Sequence, residues 1–351
     1  MKKLSLFFVS FLLLFVALGQ IPQNYYTNAE GKKHTELKMA LSEIIAKDYI
    51  QRTYANLWTD FYTTDVRADG KVWDMYSNCT FTFGVDQDKG EAAPVECIKY
   101  NREPSIPNSW FGGTQYPMYT DLFHLYPTDK YVNAERADFP YGETNNPTKT
   151  YGNGSKKGAG TSESGYTGVI FEPTDEYKGD FARTYFYMAT RYIGTNFTQN
   201  YQGTIIFTYS SSTCDLADYA IDLFLKWHRN DPVSQKEIER NNAVYGIQNN
   251  RNPFIDYPEL AEHIWGNLME VVWKPNVNIL QNIIPSSIKI TKYLNGIFVE
   301  GAPPNSKIEI YSITGQNVYT SLSSVDFISL EHLKRGVYII NVGEFIQKIV
   351  W

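Results

Sequence analysis

The chain has 351 residues, of which 43% are hydrophobic and 20% are charged, so it carries enough apolar material for about two globular domains. Its formal net charge is −6, which excludes a global positive field that would attract a polyanion. A polyanionic ligand would therefore need a local cluster of cations or a bound metal ion.

The N-terminal segment has the pattern of a secretory signal peptide, predicted over residues 1–19. Lys2 and Lys3 precede an apolar run over residues 4–18, and Ala17-Leu18-Gly19 fits a small-x-small cleavage site. The run is short for a membrane span and no second run follows it in the sequence. We therefore expect an exported protein, secreted or at the cell surface, with no integral membrane segment after cleavage.

Three cysteines then lie in an oxidising compartment, where disulfides persist. Cys79 and Cys97 flank a short polar segment that can form a hairpin, so they are the predicted disulfide pair. Cys214 remains as the odd thiol.

The first half of the chain predicts one helix, a strand-rich segment and a long loop. Apolar residues recur at the helical period from Gly31 to about Tyr49, and residues 58–93 predict short strands and turns. Residues 145–164 are rich in Gly, Ser, Asn and Lys, which predicts a long exposed loop. Its lysines fit either a solvated linker or a loop that contacts phosphate: Lys149, Lys156 and Lys157.

The second half predicts a strand at residues 168–173 and then a series of helices. Asp215 is the predicted N-cap of the first, and Asp231-Pro232 is predicted to start the second. A further helix is predicted after Pro258. Helical periodicity stops near Trp273.

The C-terminal part has a different composition. Residues 273–284 contain proline and asparagine without periodicity and are predicted to be a linker. Residues 285–351 hold short runs rich in Ile, Val and Tyr between turn signals, which predicts a small all-β sandwich. Residues 20–272 then form the first domain, with mixed helices and short strands in an α+β fold.

Four polar residues of the first domain suit the hydrolysis of a phosphodiester. Such a reaction needs charge neutralisation at the phosphate, an activated water and help for the leaving oxygen, and Mg²⁺ supplies most of this with few protein ligands. Glu103 and Asn133 offer the hard oxygens that Mg²⁺ prefers. Arg136 can clamp a phosphate, and His124 is of the residue type most often used as a base.

The segment from Asn101 to Glu143 resembles the active-site segment of the bacterial endonuclease I family, secreted nucleases with a ββα-metal core. Five further blocks on either side of this segment resemble the family in the same order, at residues 25–32, 72–77, 182–192, 226–241 and 248–256. The resemblance implies helices and short strands around a ββα-metal core. It also implies a secreted, Mg²⁺-dependent, sequence-nonspecific endonuclease acting on DNA, with RNA as an additional substrate and Ca²⁺ or Mn²⁺ as alternative ions.

The resemblance also implies a role for each of the four residues. Glu103 and Asn133 match the family's metal-binding residues, and Arg136 matches an arginine that contacts phosphate or braces the site. His124 lies in the block before the helix. There it has either a supporting catalytic role or a structural one, bonded to the backbone.

Pro104 departs from the family pattern. The family's run is Arg-Glu-His-Ser, with His as general base, whereas this chain has Arg102-Glu103-Pro104-Ser105. Proline accepts no proton from water, and loss of a general base typically costs about 10²–10⁴ in rate. We therefore expect a weakened nuclease or, as the alternative, a catalytically inactive nuclease-like protein that binds nucleic acid.

The C-terminal β unit resembles the sorting domain of Bacteroidetes type IX secretion cargo. The likeness rests on residues 333–339 and on the ending Gln347-Lys348-Ile349-Val350-Trp351. It implies that the type IX secretion machinery is a partner and that this unit has no catalytic role. The sequence gives no indication of the oligomeric state.

Overall fold

A computed structural model describes residues 21–275 and, nearer the C-terminus, residues 289–292, 296–300, 307–312, 315–322, 327–330, 333–334, 336–342 and 345–351. The chain forms two compact units, residues 1–274 and 275–351. The predicted signal peptide and most of the predicted linker lie outside the described residues. Within the described ranges, no helix is both long enough and apolar enough to cross a membrane.

The first unit mixes helices with small antiparallel sheets. Its helices are α1 (His34–Ala46), α2 (Leu57–Thr64), α3 (Lys130–Arg136), α4 (Lys178–Arg191), α5 (Gly203–Ile206), α6 (Asp218–Asn230), α7 (Gln235–Gln248), α8 (Pro253–Asp256) and α9 (Leu260–Trp265). Its strands are β1 (Tyr100–Pro104), β2 (Leu125–Asp129), β3 (Asn146–Thr150), β4 (Lys156–Ala159), β5 (Val169–Glu172), β6 (Phe207–Ser210) and β7 (Thr213–Leu216). Strand β1 pairs with β2, β4 lies between β3 and β5, and β6 pairs with β7. The predicted α+β class is confirmed.

The second unit contains strands only, in its described part. They are β8 (Lys289–Lys292), β9 (Gly296–Glu300), β10 (Lys307–Ser312), β11 (Asn317–Leu322), β12 (Phe327–Ser329), β13 (Val337–Val342) and β14 (Phe345–Val350). One sheet has the order β11-β10-β13-β14 and the other β12-β9-β8. Ile297 and Ile328 from the smaller sheet share one buried cluster with Ile308 and Ile340 from the larger. The two sheets therefore form a sandwich, as the composition predicted.

Helix α4 is the centre of the first unit. Every residue from Lys178 to Thr190 is buried, and the helix packs against α1, α6 and α8. Its buried charges are paired, since the Arg183 guanidinium donates to the Glu237 carboxylate of α7 at 2.7 Å. Because a buried charge without a partner is costly, this pair helps to fix α7 against α4.

Cys79 and Cys97 are joined by a disulfide, as predicted, and Cys214 is a buried free thiol. The segment between the bonded cysteines contains turns and bends rather than the expected hairpin. The strands predicted within residues 58–93 are absent too, since this segment holds helix α2 and only isolated bridges, Val66 with Val72 and Gln87 with Tyr100. Backbone N–H groups in this segment donate to nearby side chains instead of to a partner strand, as Tyr76 does to Asp74 and Thr82 does to Asp86.

The prediction of a long exposed loop at residues 145–164 is wrong, because β3 and β4 form an antiparallel hairpin there that β5 extends. Glycine suits this hairpin: a Cβ at Gly158 would lie 2.9 Å from the backbone oxygen of Asn146. The hairpin could not be predicted from composition, because backbone hydrogen bonds form its ladder and its polar side chains are paired at the surface instead of buried. Those pairs join Lys149 and Lys157 to Glu135, and Lys156 to Glu172.

Two predicted helix starts are also wrong, since both aspartates serve other elements. Asp215 lies in β7 and forms an ion pair with Lys38 at 2.8 Å, while α6 begins three residues later. Asp231 accepts a hydrogen bond from the backbone N–H of Gly179 at the start of α4, at 2.8 Å. Helix α7 is capped instead by Ser234 in a capping box. The remaining predicted elements, α1, β5 and α9, are confirmed.

Candidate active site

Strands β1 and β2 and helix α3 form a hairpin followed directly by a helix. The register places Asn101 opposite Thr128 and Glu103 opposite Tyr126. Asp129, the last residue of β2, caps α3 by accepting hydrogen bonds from the backbone N–H groups of the second and third helical residues, at 2.8 and 3.0 Å. This cap fixes the direction in which the helix leaves the hairpin and crosses it.

Two side-chain pairs connect β1 to α3. The Asn133 amide donates to Asn101 Oδ1 at 2.8 Å, and the Arg136 guanidinium lies 3.2 Å from Glu103 Oε1. Asn101 and Glu103 share a face of β1 because side chains alternate along a strand, and residues three apart share a face of a helix. The fold thus gathers Glu103, Asn133 and Arg136, which lie up to 33 residues apart in the sequence.

Asn101 is the member of this group that the sequence analysis missed. In the sequence, Asn101 is the first residue of the active-site segment. Its position two residues before Glu103 was the available signal, since that spacing puts both side chains on one face of a strand.

Glu103 is held in a fixed, almost fully buried position. Its side chain is 1% exposed, and Oε1 accepts a hydrogen bond from the Tyr76 hydroxyl at 2.8 Å. Burial raises the pKa of the Glu103 carboxyl to about 7, although Arg136 and Tyr76 oppose that shift. A divalent cation at this carboxylate would favour its charged form.

Arg136 braces the core of the site. Its guanidinium donates to the backbone oxygens of Pro104, at 3.3 Å, and Ser105, at 2.6 Å, in addition to its ion pair with Glu103. The side chain is 1% exposed. Of the two roles that the resemblance allowed, this geometry favours bracing over direct contact with phosphate.

His124 lies in a structural environment. Its ring is fully buried, Nε2 is 2.6 Å from the backbone oxygen of Met118, and burial lowers the pKa of the imidazole. Nδ1 is buried too and has no hydrogen-bond partner among the described residues. The backbone oxygen of His124 accepts hydrogen bonds from the N–H and hydroxyl of Ser105, which extends the β1–β2 pairing. This geometry favours the structural alternative for His124.

Pro104 is the last residue of β1 and lies opposite Leu125. Proline has no N–H to offer the ladder and is tolerated where a strand ends. Its carbonyl accepts a hydrogen bond from Arg136, so the backbone here is part of the site even though the side chain has no proton-accepting group.

The donor set fits a hard divalent cation. Among the described residues, no group donates a hydrogen bond to Glu103 Oε2 or to Asn133 Oδ1, so a carboxylate oxygen and an amide oxygen remain available as ligands. Asn101 and Asn133 are both partly exposed, which leaves room for the waters that Mg²⁺ retains. Another close group of ligand-type residues, Cys79, Cys97 and Asp129, does not fit a metal because its two sulfurs form the disulfide.

The endonuclease I family model matches residues 33–259, a span that contains the whole β1–β2–α3 core. The chain belongs to the endonuclease I family. It is 34% identical over 248 residues to an extracellular ribonuclease of Bacillus amyloliquefaciens, covering 69% of this chain and 78% of that protein. It is 29% identical over 136 residues to Endonuclease-1 of Buchnera aphidicola subsp. Acyrthosiphon pisum, covering 39% and 44%.

A third relative is an extracellular deoxyribonuclease of Aeromonas hydrophila, 26% identical over 145 residues, which covers 40% of this chain and 50% of that protein. Membership of the endonuclease I family makes the chain a nuclease, that is, a phosphodiester hydrolase. The family match ends before the β sandwich, so it concerns the first unit alone.

Proposed function

We propose that this endonuclease I family member is an exported, Mg²⁺-dependent endonuclease that cleaves DNA, and also RNA, with little sequence specificity. The observation that supports the proposal is that β1 and α3 face each other through the pairs Asn101–Asn133 and Glu103–Arg136. Among the described residues, no group donates a hydrogen bond to Glu103 Oε2 or Asn133 Oδ1. Relatives named ribonuclease and deoxyribonuclease support both substrates, and their extracellular naming supports export. Mn²⁺ and Ca²⁺ are the alternative ions.

Glu103 and Asn133 would hold the ion, and the surrounding residues keep those two ligands in place. A bound Mg²⁺ would neutralise charge on the phosphate and lower the pKa of the attacking water. Tyr76 and Arg136 fix one oxygen of Glu103, so the other is presented in a single orientation. Asn101 does the same for Asn133 by accepting from its amide nitrogen.

Pro104 makes slow turnover part of the proposal. The position of the family's general base has no titratable group, and the buried ring of His124 is bonded to Met118. Absence of a general base typically lowers the rate by about 10²–10⁴-fold, while metal-assisted hydrolysis remains.

Nicking of supercoiled plasmid by the mature protein tests this proposal. We expect Mg²⁺-dependent nicking that EDTA stops, a strong loss in Glu103→Gln, and a gain of up to about 10²–10⁴-fold in Pro104→His. Pro104→Ala is the matched control, because it removes the proline without adding a base. Absence of nicking by both the parent and Pro104→His, with each of the three ions and over a wide range of enzyme concentration, would contradict the proposal.

An inactive nucleic-acid-binding protein is the second candidate function. Two observations favour it: Pro104 occupies the position of the family's base, and His124 is buried and bonded to Met118. Among the described residues, no imidazole is therefore free at the site. It predicts salt-sensitive retention of DNA without cleavage, since phosphate contacts release counterions. Nicking that survives purification and is abolished by Glu103→Gln would exclude it.

For the second unit, the proposal is a type IX sorting domain. Its sandwich fold and the sequence of its end are compatible with a separate address module. Expression of the full chain and of a chain lacking residues 275–351 in a type IX-competent host tests this. Retention of only the shortened protein inside the cell is the expected result, and equal export of both chains is the contrary one.

A further inference from the structure

Arg102 lies beside Glu103 on β1, and its side chain is therefore on the opposite face of the strand. Its guanidinium carbon is 3.6 Å from the ring centre of Tyr54 and 4.2 Å from that of Trp58. Arg102 also donates a hydrogen bond to the backbone oxygen of Tyr54 at 2.6 Å. The cation is thus held between two aromatic rings.

The stack continues outward through two more tyrosines. The Tyr54 and Tyr119 rings are 4.6 Å apart and nearly parallel, at 20°. Tyr116 packs edge to face with Tyr119 at 5.7 Å and is 46% exposed. Together Arg102, Tyr54, Trp58, Tyr116 and Tyr119 form what we name the aromatic stack. Its outer end faces solvent, because an exposed ring lies there.

The aromatic stack is fastened to both strands of the active-site hairpin. Arg102 belongs to β1, and Tyr119 lies in a short 3-10 turn over Met118–Thr120. The Met118 carbonyl in that turn is bonded to the His124 ring, one residue before β2. The buried His124 ring therefore holds in place the turn that carries Tyr119.

Arg102 is partly exposed and has no carboxylate within 4 Å among the described residues, which distinguishes it from the fully buried arginines of the first unit. Those arginines are paired with acids: Arg136 with Glu103, Arg183 with Glu237, Arg240 with Asp65 and Arg251 with Asp256. A guanidinium has five N–H donors, and Arg102 uses one of them on Tyr54. The remaining donors are available to an anion.

We propose that the aromatic stack is a subsite for single-stranded nucleic acid. An unpaired base stacks on the outer rings, those of Tyr116 and Tyr119, and a phosphate lies towards Arg102. This rests on the proposed function, which supplies nucleic acid as the ligand. Aromatic rings stack on any base, so the subsite needs no sequence, and a base within a duplex has no free face to offer. The preferred substrate is then single-stranded RNA or DNA.

Binding without cleavage tests the subsite. A fluorescent 12-nucleotide single strand and a blunt duplex of the same sequence are titrated in EDTA against the full mature chain and read by anisotropy. Tyr116→Ala and Tyr119→Ala are each expected to weaken single-strand binding by about 5- to 150-fold, from the measured range of base–aromatic stacking, and duplex binding by less than about twofold. Tyr119→Phe keeps the ring and is expected to bind as the parent does.

Tyr209→Ala is the control for loss of an exposed tyrosine elsewhere, since that residue is 37% exposed on β6. Equal single-strand binding by the parent and by Tyr116→Ala would overturn the subsite, as would equal losses for strand and duplex. Because Tyr116 is a surface residue, its variant answers the question even if Tyr119→Ala unfolds. Failure of the proposed function is separate: it is absence of nicking in Mg²⁺, which leaves a ring-dependent preference for single strands in EDTA intact.

Discussion

On strand β1, Glu103 and Arg102 are adjacent residues whose side chains lie in opposite environments. Glu103 faces α3, where it is 1% exposed and paired with Arg136. Arg102 faces the tyrosines, is partly exposed, and has rings rather than an acid as neighbours. The period of two along a strand lets one short segment carry a buried ionic face and a partly open aromatic face. Substitutions on the buried ionic face should therefore cost more stability than substitutions on the aromatic face.

The largest expected difference is in stability. Arg136→Met leaves the buried Glu103 carboxylate without its partner and frees two backbone oxygens, so a loss of about 3–5 kcal/mol is expected. Arg102→Met removes a cation–ring contact at a partly exposed site, worth about 0.5–2 kcal/mol. Urea unfolding followed by tryptophan fluorescence measures both. Equal losses in the two variants would show that the faces do not differ as described.

A second difference is in the dependence of stability on pH. Burial raises the pKa of Glu103 to about 7 from a usual value near 4.5, so the folded state holds this proton more tightly than the unfolded chain does. The contribution of Glu103 to the free energy of unfolding is therefore fully present below about pH 4.5 and is lost as the pH rises through about 7. At about 1.4 kcal/mol per pKa unit, the free energy of unfolding should fall by about 3 kcal/mol across this range.

The measurement is urea unfolding in EDTA from pH 4.5 to 8, with Glu103→Gln as the reference. Burial also raises the pKa values of Asp74 and Glu237 to about 7, but these groups are present in both proteins and cancel in the difference. A difference curve without slope would contradict the assignment. Added Mg²⁺ should restore stability at the upper end of the range in the parent alone, because the ion binds the deprotonated carboxylate.

The smallest effect concerns the cap that aims α3 at β1. Asp129→Ala removes the side-chain acceptor for two N–H groups of the helix and for the N–H of Cys97, and about 1–2 kcal/mol of stability should be lost. Asp129→Asn keeps an acceptor and should lose less. The half-saturating Mg²⁺ concentration for nicking should rise in Asp129→Ala, since Asn133 is on the same helix. Unchanged values for both variants would mean that the cap does not position the site.

Local chemistry explains where prediction from sequence succeeded. The order of β1, β2 and α3 was predicted from the resemblance of the active-site segment to a ββα-metal core, and Glu103 and Asn133 were named from that same segment. Cys79 and Cys97 were correctly paired because they flank one short polar segment, whereas Cys214 lies far along the chain. Helices α1 and α9 were predicted correctly because apolar residues recur along them at the helical period.

Prediction failed where a residue's partner is distant in the chain. Asp215 and Asp231 have good N-cap chemistry, yet one pairs with Lys38 and the other with the start of α4. The hairpin at 145–164 has no alternating apolar pattern, because its lysines pair with carboxylates such as Glu135. Sequence patterns reveal the periodic burial of apolar residues. The partners of these aspartates and lysines leave no such periodic pattern in the sequence.

The sequence by itself determined the α+β class, the disulfide and the lack of a titratable side chain at Pro104, because each follows from residue type or close spacing. Glu103 and Asn133 stay predictions as metal ligands, made through the family resemblance. Only the tertiary structure decided that Arg136 braces β1, that Asn101 holds Asn133 and that His124 is buried against Met118. It also decided that Arg102 lies between two rings. These outcomes depend on which surfaces folding buries together, since burial and contact are set by neighbours in space rather than along the chain.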